Sequence, residues 1–274
     1  MKKRIALLCA AALLLGAAAC GKTSAPGETA APESETAAAE ETTAPQGEGL
    51  LLRVIDGAGT GMLTLAGETA GDVYTASADE LTVYLDGQPS SADALANGML
   101  LTVEPGYELL ETWPAQFAGA AVSAETPGKN EGYGDLCGLY LSVLEDLWNN
   151  DEALNAEIAY ISVDISAAPG GLSEGERTAL AWLFAGRHNA QPLTMSFEEL
   201  KENGYVNETE LYWKDGVLLS LKATDNEKQS EKKITFDAEK WRSGTGAIFF
   251  NGCTAKRGKG PQWEPYQPGS FSIA

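Results

Sequence analysis

The residues able to do chemistry in this chain are few, and their spacing narrows the choice further. His188 is the single histidine, so any Ser-His-Asp or Cys-His nucleophilic arrangement must use it. It follows Gly186-Arg187 at the expected end of a helix, where a cation complements the helix dipole and a capping role competes with catalysis. Ser230-Glu231-Lys232-Lys233 spells Ser-x-x-Lys, but it falls in a charged, turn-like run without the helix start or companion motifs that seat such a pair. The sequence has no Gly-x-Ser-x-Gly elbow, His-Glu-x-x-His helix, phosphate loop or calcium loop. Two separated cysteines and one histidine lack any zinc-ligand spacing, so no metal and no cofactor is expected. Paired carboxylates remain open, because two acids about 5 to 9.5 Å apart serve a glycosidase and leave no linear motif.

Four cysteines raise separate questions. Cys9 and Cys20 lie in the leading segment, which starts Lys2-Lys3-Arg4, runs apolar from Ile5, and ends in Leu13-Leu14-Leu15-Gly16-Ala17-Ala18-Ala19-Cys20. A basic head, a short apolar core and small residues before a cut describe an export signal over residues 1–19. That core is shorter than the roughly 20 residues of a membrane span. The ending resembles bacterial lipoproteins, although Ala17 stands where leucine is commoner. The resemblance implies that Cys20 becomes the mature N-terminus with a thioether-linked diacylglyceryl group, palmitate-type chains holding the protein on the extracytoplasmic face of the cell membrane. Two acyl chains hold durably where one is marginal, at about 0.8 kcal/mol per buried methylene. Cys137 and Cys253 sit in apolar runs, where an exported pair forms a disulfide or two buried thiols stay free; spacing leaves both open.

Residues 20–48 are nearly all Ala, Thr, Glu, Pro, Gly and Ser, too poor in large apolar residues to offset the entropy of ordering. This composition reads as a disordered linker, with a root-mean-square span of about 29 Å for a flexible coil. Loss of the signal removes three positive charges and no negative ones, taking the net charge of −20 to about −23. Such a chain repels phosphate backbones, which excludes nucleic acid as a partner at long range. The basic stretches Lys228–Lys233 and Lys256-Arg257-Gly258-Lys259 fit solvated hairpin tips, with docking on an anionic wall polymer or lipid surface as the alternative.

The folded part divides near Ala124. Over residues 49–125, short Val-, Leu-, Thr- and Tyr-rich runs alternate with Asp56-Gly57, Asp86-Gly87 and Pro105-Gly106 turns, the pattern of a small antiparallel barrel or sandwich. Over residues 130–274 the pattern changes. Leu136, Leu139, Tyr140, Val143, Leu144, Leu147 and Trp148 follow the three-four spacing of an amphipathic helix over 133–149. Ile158–Ile165 alternates as a strand, and Ser173-Glu174-Gly175-Glu176 matches a capping box opening a helix to Arg187. Ser196 opens a short helix that stops at Gly204, and strands follow at 210–213, 217–223, 233–236 and 246–253, with a weaker pair near Trp263 and Phe271. The expected class is α+β overall: a small all-β barrel, then an α+β layer with a mostly antiparallel sheet.

Gly98–Val122, and especially Glu111-Thr112-Trp113-Pro114-Ala115-Gln116-Phe117, is similar to a segment of small β-barrel domains in surface lipoproteins of Gram-positive gut clostridia. Phe236–Ala247 and Leu172–Glu176 resemble parts of the same lipoproteins. The resemblance implies an OB-like barrel, and it carries a location and no reaction. The layer arrangement of the second region resembles cystatin or NTF2-like folds.

Binding needs less than catalysis does. Trp263 and Tyr266 lie in a Gly- and Pro-rich stretch unsuited to a central strand, so a surface role is expected for both. Trp241 and Arg242 precede the flexible Ser243-Gly244-Thr245-Gly246, and Trp113 opens the Trp-Pro motif; these five residues are the ligand-binding candidates. The expected function is a lipid-anchored surface protein with a non-catalytic binding or envelope-assembly role toward cell-wall glycan or an envelope protein. The alternatives are a cell-envelope carbohydrate hydrolase using paired carboxylates, and an accessory subunit of a membrane transporter or sensor kinase.

Overall fold

In a computed structural model the described residues are 49–126, 134–224, 229–230, 232–258 and 262–274. The expected signal, Cys20, the expected linker, Tyr133, Lys228, Glu231 and Lys259 lie outside them. Nine strands form the first sheet: β1 (Leu50–Asp56), β2 (Met62–Ala66), β3 (Val73–Ser77), β4 (Leu81–Leu85), β5 (Gln88–Ser90), β6 (Leu100–Val103), β7 (Leu109–Leu110), β8 (Ala115–Phe117) and β9 (Ala120–Ala124). Their order is β5-β4-β9-β6-β1-β2-β3-β8-β7, and the sheet curls into a half-barrel. Alternation explains the curl's interior: Leu52 and Val54 of β1, Leu63 and Leu65 of β2, and Leu101 and Val103 of β6 turn inward around Phe117 and Val122. Gly57 turns β1 into β2 at φ +92°, and a Cβ there would stand 1.9 Å from the Met62 carbonyl oxygen, so only glycine fits.

The remaining described residues supply three helices, α1 (Leu136–Asn149), α2 (Glu174–Arg187) and α3 (Phe197–Glu202), and six strands, β10 (Tyr160–Ala167), β11 (Gln191–Leu193), β12 (Gly216–Ala223), β13 (Lys233–Ser243), β14 (Gly246–Lys256) and β15 (Ser270–Ile273). The second sheet runs β11-β10-β12-β13-β14-β15. Its β10–β11 and β10–β12 pairs are parallel, with α2 as the crossover between β10 and β11, and its other three pairs are antiparallel. The molecule is therefore a β-rich α+β protein.

Each helix begins as its sequence dictates. Asp135 accepts from the Gly138 N–H at 2.9 Å, and Ser173/Glu176 and Ser196/Glu199 both close capping boxes. Helices α1 and α2 cover one face of the second sheet, where Leu144, Leu147 and Phe184 meet Ile161, Leu219, Phe236 and Ile248. That core also takes Ile55, Ala66 and Val73 from the first sheet. Helix α3 and the segment after it cover part of the opposite face, around Leu200, Trp213 and Trp241.

Two expectations about strands fail. Residues 237–243 continue β13 instead of forming a loop, because Phe236, Ala238 and Trp241 find buried places beside β12 and β14. Residues 210–213 are not a strand: Tyr212 makes isolated bridges to Asn207 and Ser243 while Leu211 takes φ +47°.

Candidate functional site

Most of the sequence's binding candidates are consumed by the fold. Trp241 is buried, edge-on to Phe197 with ring centroids 4.8 Å apart, because a strand and not a loop carries it. Arg242, also buried, donates to the carbonyl oxygens of Leu154 (3.0 Å), Ala156 (2.6 Å), Lys214 (2.6 Å) and Trp213 (3.4 Å), tying two loops to the sheet end. The surface role expected for Tyr266 is corrected likewise. Its ring packs into the main core, its hydroxyl donates to Asp146 Oδ2 at 2.7 Å, and burial followed by that carboxylate raises its pKa. Trp263 is half-buried against the same core, with its Nε1 buried and without a partner among the described residues. Pro and Gly thus allow an irregular segment to lie across the core instead of projecting from it.

Cys137 and Cys253 are free buried thiols, so the bridge left open by spacing is not formed. Cys137 belongs to α1 and Cys253 to β14, where its Sγ contacts the Phe250 carbonyl at 3.7 Å. Burial raises the pKa of both, which keeps them protonated and unreactive at neutral pH. Ser230 Oγ accepts from the Lys233 backbone N–H at 3.0 Å, so this hydroxyl braces a turn.

His188 caps α2. Its Nε2 lies 3.1 Å from Glu145 Oε2 and its ring stacks on Trp148 at 4.0 Å. Neighbouring Arg187 bridges Asp56 Oδ2 (2.6 Å) and Glu145 Oε1 (3.4 Å). The two acids therefore clasp β1 to both helices through one guanidinium. Elsewhere Asp164 accepts from Ser166, and Asp237 accepts from the Gly252 N–H at 2.7 Å, so both acids serve local backbone. Glu239 is half-buried and its pKa is raised by burial, with Lys222 opposing. Among the described residues no group of three or more His, Cys, Asp or Glu is placed to hold a metal, and no helix is long and apolar enough to cross a membrane.

At the other end of α2 lies a polar cleft of about 150 Å³. Its floor is built by Arg53, whose Nε pairs with Glu176 and whose Nη1 donates to Gly98 O at 2.9 Å. Glu176 in turn accepts from the Ser173 N–H at 2.8 Å, and Ser173 Oγ donates to Gly67 O at 2.7 Å. Gly175 lets α2 press this close: a Cβ there would sit 2.4 Å from Gly67 O. Leu51 and Leu100 form the cleft's apolar rim, cross-strand neighbours of the β1–β6 ladder. Arg53 Nε and Nη1 and Ser173 Oγ already have acceptors within the protein, which makes the cleft a seam between sheet and helix.

Of the five candidates, Trp113 alone keeps its surface. It is 59% exposed in the turn between β7 and β8, beside a cis bond to Pro114, with Thr112 Oγ1 donating to Pro114 O at 2.7 Å. Sequence reasoning missed Lys240, a fully buried lysine whose Nζ donates to the carbonyls of Trp148 (3.0 Å), Asn150 (2.8 Å) and Asp151 (3.1 Å) at the end of α1. Its signal was present: Phe236, Ala238 and Lys240 alternate, placing a cation in a core-facing row. No protein family model, no curated protein and no solved structure matches the chain.

Proposed function

We propose that this is a lipid-anchored protein of the extracytoplasmic membrane face, attached through Cys20, that binds a cell-wall glycan or envelope protein without catalysing a reaction. The observation that carries the reading is Trp113: with Trp241, Trp263, Tyr266 and Arg242 committed to packing, it remains an exposed aromatic face, the kind of surface that stacks on sugar rings or anchors a protein contact. The signal-like segment ending in Cys20 and the acidic, loosely composed stretch after it support the location. Kinship with the surface lipoproteins of Gram-positive gut clostridia belongs to the same proposal. So does the finer architecture, an OB-like barrel over residues 49–125 followed by a separate module over 130–274; it is supported by the apolar cluster around Phe117 and Val122, which the first sheet's region fills alone.

The test compares the native protein with Trp113→Ala in retention on purified cell-wall glycan and on solubilised envelope. Loss of at least tenfold in retention on one of these, with an unchanged unfolding midpoint, supports the reading and names the ligand class. Equal retention of both proteins on both materials overturns it. Cys20→Ser separates the location from the binding: the variant is expected in the medium or soluble fraction, and its retention at the membrane refutes the anchor.

A further inference from the structure

The four sheet edges are not alike. In the first sheet the edge strand β5 carries Pro89 and the edge strand β7 is two residues long; in the second, β11 is three residues long and carries Pro192. Proline and extreme shortness are the devices that keep an edge from recruiting another strand. The fourth edge, β15, has neither proline nor charge: Ser270-Phe271-Ser272-Ile273.

Its hydrogen-bonding alternation can be read from one bond. The Ala274 N–H donates to Ala247 O at 2.9 Å, so residues 270 and 272 also face β14, and the N–H and C=O of Phe271 and Ile273 point away from the sheet. Among the described residues nothing pairs with those groups. The side chains of the same two residues lie opposite buried Phe250 and Ile248, extending the helix-covered apolar row past its cover, where they stay 52% and 63% exposed. Phe271 already leans on Phe250 with ring centroids 5.9 Å apart.

We propose that β15 receives an extended segment of a basic partner protein, which adds to the second sheet as a seventh strand. Outward backbone groups call for a strand, since main-chain hydrogen bonds supply affinity and alternate side chains supply selectivity in this mode. Two exposed apolar residues on one face require matching apolar residues at alternate partner positions. A second copy of the chain is a poor occupant: a four-residue strand meeting itself buries far less than the roughly 1,200 Å² of a stable interface. Two bodies each carrying −20 also repel. The same charge attracts a partner rich in lysine or arginine. This surface belongs to the second sheet and is independent of Trp113.

A synthetic peptide Lys-Thr-Val-Thr-Val-Thr-Lys tests the proposal against the full chain in detergent. Binding is expected, with amide exchange slowed at Phe271 and Ile273. The double variant Phe271→Glu, Ile273→Glu separates strand addition from plain charge attraction, because it adds negative charge while removing the apolar row. A loss of at least tenfold in affinity, with an unchanged unfolding midpoint, supports the proposal. Equal or tighter binding by the variant, no change in exchange at the two amides, or protection of those amides through a dimer without peptide overturns it. If the double variant unfolds, Ile273→Thr replaces it, keeping the backbone edge and losing apolar contact, and unchanged peptide affinity then overturns the proposal.

Discussion

Replacing Lys240 by methionine should make stability lose a specific dependence on pH. Burial pulls the Lys240 pKa down from 10.5 to about 8, against the opposing pull of Asp151 and Glu152. Between those two values the unfolded chain holds the proton more tightly than the folded one, so stability rises with pH. Below about pH 8 both states are protonated and the slope vanishes. Because one unit corresponds to 1.36 kcal/mol, the folded protein gains about 2 kcal/mol from this group between pH 7 and pH 9.5, approaching its full value only above 10.5. Other groups push the opposite way: the raised thiols of Cys137 and Cys253 and the raised hydroxyls of Tyr140 and Tyr266 favour the unfolded state as pH climbs past their ordinary values. They are common to both proteins and cancel in the difference. Urea unfolding of native protein and Lys240→Met at pH 7, 8, 8.5, 9 and 9.5 gives that difference, expected to rise in favour of the native protein by about 2 kcal/mol across the series. A flat or falling difference refutes the reasoning and returns Lys240 to the ordinary lysine range, held charged by its three carbonyl acceptors.

Three further outcomes are expected. Ser173→Ala removes both the α2 cap and the bond to Gly67 O, and should cost about 1 to 2 kcal/mol in urea unfolding. Gly175→Ala forces a methyl group onto Gly67 O and should cost about 1 to 3 kcal/mol, with faster amide exchange along β2; unchanged exchange there speaks against tight packing at this seam. A double-mutant cycle between Asp56→Ala and Arg187→Ala should give a coupling of about 0.5 to 1 kcal/mol that shrinks in 1 M salt, as half-exposed pairs do.

The helices were legible because their start signals are local. Ser173 and Glu176, Ser196 and Glu199, and the three-four spacing from Leu136 to Trp148 specify each element within a few residues. The strands of the first sheet were legible from alternation and glycine turns, but their order was not. Parallel pairing of β4 with β9 and of β3 with β8 depends on contacts between distant segments. At Trp241 and Arg242 the nearby Ser-Gly-Thr-Gly turn read as a loop, while the tertiary setting offered a long hairpin and a set of orphan carbonyls for the guanidinium. Trp263 and Tyr266 misled for a related reason: Pro and Gly exclude a central strand without excluding burial, and Asp146, 120 positions away, is what receives the tyrosine hydroxyl. Trp113 was marked only by its Trp-Pro motif; that a short turn carries it with its ring exposed depends on where β7 and β8 stop, which the sequence did not show.

The chain enters the described fold at β1, and β1 is interior to its sheet, flanked by β2 on one side and β6 on the other. A tug on the segment before Gly49 therefore meets two ladders at once, and behind them the Arg53 contact to α2. An edge strand in that position would peel away one bond at a time under tension. Here, stretching the protein by its leading segment should yield an abrupt rupture, and the first strand to part from the body should take its two neighbours' bonds with it.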